Sequence, residues 1–96
     1  MAVVRYTDHL KLRLKLRGIP DELPRKIYER AESKFIDSTT GHNIAIATTL
    51  YRRKKRLFLV AYDVKNDFIL MVTAHPISKE QIDSRVRSER WMKVEE

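Results

Sequence analysis

The stretch His9-Leu10-Lys11-Leu12-Arg13-Leu14-Lys15-Leu16-Arg17 decides the fold, because its four leucines alternate with cations at the strand period of two. Its flanks argue for a helix instead. Thr7 or Asp8 can cap a helix N-terminus, with a side-chain oxygen accepting from a free backbone N–H. Gly18 suits the left-handed residue that ends a helix, Ile19 supplies the closing apolar contact, and Pro20 forbids continuation. Leu, Lys and Arg are good helix formers and none is β-branched. The segment is therefore predicted helical. Leu10 and Leu14 share one stripe and Leu12 and Leu16 a neighbouring one, which together make a broad buried face.

A second helix is predicted directly after it. Asp21 is a candidate cap, Pro24 is tolerated in the first turn, and Leu23, Ile27 and Ala31 recur every four residues. Residues 34–38 then suggest a short strand, followed by a turn at Ser38-Thr39-Thr40-Gly41. Residues 43–51 alternate as a strand should. Arg53-Lys54-Lys55 is expected to turn the chain into a second strand over 57–64, apolar on both faces. Lys65-Asn66-Asp67 forms the next tight turn and leads into a third strand over 68–74. Pro76 stops that strand, and Ser78-Lys79-Glu80-Gln81 is a capping box opening a last helix, whose apolar residues are Ile82 and Val86. Trp91-Met92-Lys93-Val94 is placed to return to the sheet edge. The expected fold class is α+β: two N-terminal helices, an antiparallel sheet of three to four strands arranged as a meander, and a C-terminal helix. Residues 1–96 make one domain.

Composition narrows the chemistry. Cysteine is absent, which removes disulfides, thiolate catalysis, thiolate–zinc sites and iron–sulfur clusters. Gly18 and Gly41 are the only glycines, too few for a phosphate-cradling loop or a dinucleotide fingerprint. Three dispersed histidines match no metal-ligand pattern, so neither metal nor cofactor is expected. No apolar run is long enough for a membrane helix and the N-terminus lacks a signal-like core, so the expected location is the cytoplasm. Twenty Lys and Arg oppose thirteen Asp and Glu, a formal net charge of +7. A charge of that size on a small body attracts polyanions, leaving RNA, DNA, an acidic protein or an anionic membrane surface as partners. The charge-rich composition, with one Gln and two Asn, also fits a heat-adapted source.

The charges are clustered. Arg52, Arg53, Lys54, Lys55 and Arg56 are consecutive and fall at a hairpin, where mutual repulsion makes turn formation alone a poor explanation. Arg85, Arg87 and Arg90 add cations on the last helix, beside Asp83 and Glu89, and are equally suited to intramolecular pairs. His9, Arg13 and Arg17 recur every four residues, hence along one helical stripe. A histidine with two arginines on one face could hold a phosphate; the plainer alternative is that His9 caps or packs at the helix start while the arginines are solvated or paired with acids. His75 falls just before the turn into the last helix, whose free N–H groups favour an anion; it could equally be a turn residue bonded to backbone. His42, in the Gly41 turn, is expected to be exposed. Tyr51, Tyr62 and Trp91 are expected to be packing residues.

The element order, the His9…Arg13…Arg17-Gly18-Ile19 spacing after an extended segment ending in Tyr6-Thr7, and the closing Thr73-Ala74-His75-Pro76 together resemble the small DUF4258-type domains. These are in turn similar to the RelE/ParE-like toxin superfamily, including its BrnT branch. The resemblance covers residues 4–91. The basic and aromatic residues of well-studied RelE ribonucleases have no one-to-one counterparts here. It implies a twisted antiparallel sheet with two helices on one face, metal-independent RNA cleavage, often on ribosome-bound mRNA, and silencing by an acidic antitoxin. Metal-free cleavage needs a base for the 2′-OH, an acid for the leaving 5′-oxygen and cations for the phosphorane. On that implication His9 and His75 are the candidate proton-transfer groups, with Arg13 and Arg17 on the phosphate. Residues 52–56, with Arg85 and Arg90, would steer the backbone. The alternative reading is a non-catalytic module that binds nucleic acid or an acidic protein through the same surface.

Overall fold

The computed structural model describes residues 3–94. Strand β1 (Val3–Tyr6) leads into helix α1 (Asp8–Arg17) and helix α2 (Leu23–Glu29). Strands β2 (Ser33–Asp37), β3 (Asn43–Tyr51), β4 (Lys54–Val64) and β5 (Phe68–Pro76) follow, then helix α3 (Lys79–Arg87) and strand β6 (Trp91–Lys93). The sheet has six strands in the order β1-β5-β4-β3-β2-β6 rather than three or four. It is mixed: β2 to β6 pair antiparallel, while β1 runs parallel to β5. The two strands that local pattern undercounts are β1 and β6, four and three residues long. Each depends on a distant partner and not on its own periodicity.

End signals fixed α1 as a helix against its strand-like alternation. The Thr7 hydroxyl accepts from Leu10 N–H, and Gly18 closes the helix at φ 63°. Leu10 and Leu14 are fully buried, but Leu12 and Leu16 are 55% and 76% exposed. The broad buried face is thus corrected to a single stripe: α1 lies flat on the sheet, and positions two residues further on rotate about 200° away from it. In α2, Glu22 and not Asp21 occupies the capping position, without a side-chain bond, and Leu23, Pro24 and Ile27 are buried.

The helices divide the core in two. Leu10, Leu14, Leu23 and Ile27 cover one sheet face with Phe58, Val60, Tyr62 and Met71. On the other face Ile77, Trp91 and the half-buried Ile82 cover Phe35, Ile44, Ile46, Leu59 and Ala61. β4 therefore alternates between two buried layers, which is why its sequence is apolar on both sides. Tyr51 stands edge-on to Phe58 at 5.3 Å and Tyr28 edge-on to Tyr62 at 4.9 Å. β5 continues two residues beyond the expected end at residue 74, to Pro76, with His75 one position from its end.

Asp37 fastens the far end of the second layer. Only 4% exposed, its carboxylate accepts from the backbone N–H groups of Thr39 and Thr40, from Trp91 Nε1 at 3.1 Å and from Arg90 Nε at 3.2 Å. Burial raises its pKa, but the Thr40, Thr39 and Trp91 hydrogen bonds and the Arg90 charge outweigh burial and hold it below the usual carboxylate range.

Candidate nucleic-acid interface

The β3–β4 hairpin closes with only Arg52 and Arg53 between Tyr51 and Lys54, which pair as the last rung. The expected turn at residues 53–55 is thereby corrected. Lys54, Lys55 and Arg56 belong to β4, and their side chains alternate between the sheet faces. Both turn residues have positive φ, 52° for Arg52 and 65° for Arg53. Two-residue turns of this kind match the strand twist but favour Asn-Gly or Gly-Gly. Arginine there carries a left-handed backbone penalty of about 1–2 kcal/mol per residue.

The hairpin also outruns its neighbours. β2 pairs with β3 no further towards the tip than Ile46, and β5 pairs with β4 no further than Phe58. Three rungs, Thr49 with Arg56 through Tyr51 with Lys54, form a two-stranded ribbon beyond the sheet ladder; at the rung before them Leu57 O still accepts from Ile77 N–H and Thr48 N–H donates to the Glu32 carboxylate. One ribbon face rests on the end of α1. The Tyr51 hydroxyl and the Arg52 guanidinium both donate to the Arg17 carbonyl oxygen, each at 3.2 Å, and Arg52 lies 5.1 Å from the Tyr51 ring. Cations at a helix C-terminus are favoured by its dipole, so Arg52 has a structural role as well as a charge. Arg56 Nε donates to the Tyr51 carbonyl at 3.2 Å. Beside the other ribbon face Lys55 shares a concave surface of about 520 Å³ with Ser78 and Lys79 at the start of α3.

One end of the molecule thus gathers Arg17, Arg52, Arg53, Lys54, Lys55, Arg56 and Lys79 from α1, the ribbon and α3. Among the described residues none of them forms an ion pair with a carboxylate; His42 pairs with Asp63 at 2.7 Å and Arg90 with Asp37, both elsewhere. Lys79 was not singled out by its sequence neighbourhood. The signal was available: the Ser78 capping box places it in the first turn of α3, directly after the strand beside β4.

The remaining candidates disperse. His9, Arg13 and Arg17 do share a stripe, where with Leu12 and Leu16 they line a shallow recess of about 160 Å³ on the outer side of α1. His75 is not brought to them. It pairs with Leu59, so its side chain lies on the α3 side of the sheet, whereas α1 covers the opposite side. Its Nδ1 makes a 2.8 Å hydrogen bond with the Pro76 carbonyl. The two histidines expected to exchange protons with one substrate are separated by the sheet. Arg90 is committed to Asp37, and the Arg85 guanidinium sits 5.2 Å from the Trp91 ring. His42 is half-buried on Asp63 rather than exposed. No three histidine, aspartate or glutamate side chains converge among the described residues, and no helix there is long and apolar enough to cross a membrane.

Comparison with protein-family models, with curated proteins and with solved structures finds no match to this chain.

Proposed function

We propose that the chain is a nucleic-acid-binding module that contacts the phosphate backbone with the cationic end formed by the β3–β4 ribbon, the C-terminus of α1 and the start of α3. The observation that carries this reading is the Arg52–Arg53 turn. Both residues occupy left-handed positions where Asn-Gly would fold at lower energy, on a ribbon whose next three residues are also cations. Charge concentrated at a conformational cost, without carboxylate partners, is what a polyanion-binding tip requires. The two N-terminal helices on one face of a largely antiparallel sheet agree with the arrangement that the RelE/ParE-like resemblance implies.

Cleavage is the less supported part of that resemblance. A His9–His75 acid–base pair needs both rings at one phosphate, and the sheet stands between them. The reading is therefore binding without catalysis by this pair.

Salt titration of binding to labelled nucleic acid tests the proposal. The logarithm of the association constant should fall linearly with the logarithm of salt, with a slope of about −0.7 per contacted phosphate on single strands and about −0.9 on duplex DNA. Lys54→Glu with Lys55→Glu should abolish binding while the fold is retained. A flat salt response, or full affinity in this variant, contradicts the proposal.

A further inference from the structure

We propose that the outer face of α1 docks a second helix, acidic and amphipathic, supplied by a partner protein. The proposal concerns a different surface from the ribbon and does not depend on the nucleic-acid reading. It starts from two leucines that the fold does not use. Leu12 and Leu16 stand one turn apart, 55% and 76% exposed, while Leu10 and Leu14 are the buried residues of the helix. At about 100° per residue the two pairs point in nearly opposite directions. Neither exposed leucine belongs to the two core layers. Helix propensity does not call for them either, since Lys, Arg, Gln and Glu serve a solvent-facing position as well. Packing and propensity thus leave an apolar ridge on the solvent side unexplained.

The spacing of this face is that of a coiled-coil seam. His9, Leu12 and Leu16 fall at successive a, d and a positions of a heptad, with Arg13 and Lys15 at the e and g positions beside them. In such a seam each apolar side chain of the facing helix enters a hole between four residues, spaced i, i+3, i+4 and i+7. Here those four are His9, Leu12, Arg13 and Leu16, and with Arg17 they line the recess of about 160 Å³. A volume of about 150 Å³ holds a benzene-sized group. One leucine or phenylalanine knob therefore fits.

Charge selects the occupant. Lys11 and Lys15 flank the ridge on one side, Arg13 and Arg17 on the other. Among the described residues none of these four side chains forms an ion pair. A second copy of the chain would set cations against cations across the seam, which disfavours pairing. A helix with apolar a and d residues and Glu or Asp at e and g meets cations along both sides. An anionic lipid surface suits the face less well, because it offers no knob for the recess and Asp8 lies one turn before Leu12. The helix spans ten residues, about 15 Å, so a partner helix crosses it over about three turns.

The test is fluorescence anisotropy of the full chain with a labelled peptide of about 21 residues, three heptads with Leu at a and d and Glu at e and g. A second peptide carries Lys at e and g. At about 0.15 M salt the acidic peptide should bind at least about tenfold tighter than the basic one. Leu12→Ser with Leu16→Ser should weaken it at least about tenfold while the fold is kept, since both side chains are exposed. Arg13→Glu with Lys15→Glu should reverse the preference between the two peptides. Lys54→Glu with Lys55→Glu, on the ribbon, should keep the preference for the acidic peptide and its dependence on the leucines. Binding that ignores the leucines, or that disappears in the ribbon variant, would show only the general attraction of a basic chain for anions. Either result overturns the docking face and leaves the nucleic-acid reading intact. A dimer of the chain broken by Leu16→Ser in sedimentation equilibrium would give the face to a second copy. Leucine-dependent binding to vesicles of equal parts phosphatidylcholine and phosphatidylserine, with no peptide bound, would give it to lipid. Both of those outcomes also overturn the proposal.

Discussion

Replacing Arg53 by glycine should make the protein more stable and a worse ligand for nucleic acid. Arg53 sits at φ 65°, the second of two left-handed positions in the β3–β4 turn. Glycine relieves a left-handed penalty of about 1–2 kcal/mol but adds back about 0.4–1 kcal/mol of unfolded-chain entropy. The expected net gain is about 0.5–1 kcal/mol, and among the described residues no hydrogen bond or ring contact of the Arg53 side chain is set against it. For a domain of this size that corresponds to a rise in melting temperature of about 4 °C. The same substitution removes one phosphate-contacting cation from the tip, so the salt slope of nucleic-acid binding should shrink in magnitude by about 0.7–0.9. Differential scanning calorimetry and anisotropy titration read the two effects on the same sample. A lower melting temperature would show that the arginine stabilises the turn. Unchanged binding would show that the strain has no connection with a ligand.

Four further outcomes follow from the packing. Leu14→Ala should cost about 3 kcal/mol because the side chain is fully buried, whereas Leu12→Ala should change stability by less than about 0.5 kcal/mol; urea denaturation separates them. Asp37→Ala leaves Trp91 Nε1 and Arg90 without their acceptor and should cost about 3 kcal/mol, with a shift in the emission of Trp91, the single tryptophan. The folded-state pKa of Asp37 is lowered, so its contribution is present above the unfolded carboxylate pKa of about 3.9 and is lost as pH falls through the folded value. Asp37→Asn should flatten that acid limb in pH-dependent unfolding, and an unchanged limb would refute the assignment. Total RNA incubated with the purified protein should stay intact, and cleavage abolished by either His9→Ala or His75→Ala would overturn the separation of those residues.

Local signals carried much of the fold. Thr7, Gly18 and Pro20 outweighed the misleading alternation of residues 9–17, because a cap satisfies specific backbone groups while alternation is only a pattern. Ser78 and Gln81 made both bonds of their capping box. The apolar run in β4 was legible as a strand covered on both sides. What could not be read was decided by partners distant in sequence. β1 is a strand because β5 lies parallel to it, and β6 is one because Asp37 and β2 hold it. The exposure of Leu12 and Leu16 depends on how far α1 is rotated against the sheet, which periodicity cannot supply. The site divided in the same way. The five-cation run was plain, but its junction with Arg17 is a contact across 35 residues, and Lys79 joins only through the β4–β5–α3 path. His9 and His75 were each chemically apt, yet strand parity placed the latter on the wrong side of the sheet.

Backbone amide shifts followed by NMR during titration with a DNA duplex locate the ligand directly. The ribbon mechanism predicts that the largest perturbations fall at the end of α1, through residues 52–56, and at the start of α3. Residues 65–67, at the opposite end of the 11-residue strand β4, should stay still. Perturbations centred on that opposite turn, or on the outer face of α1 around His9 with the ribbon unaffected, would contradict it.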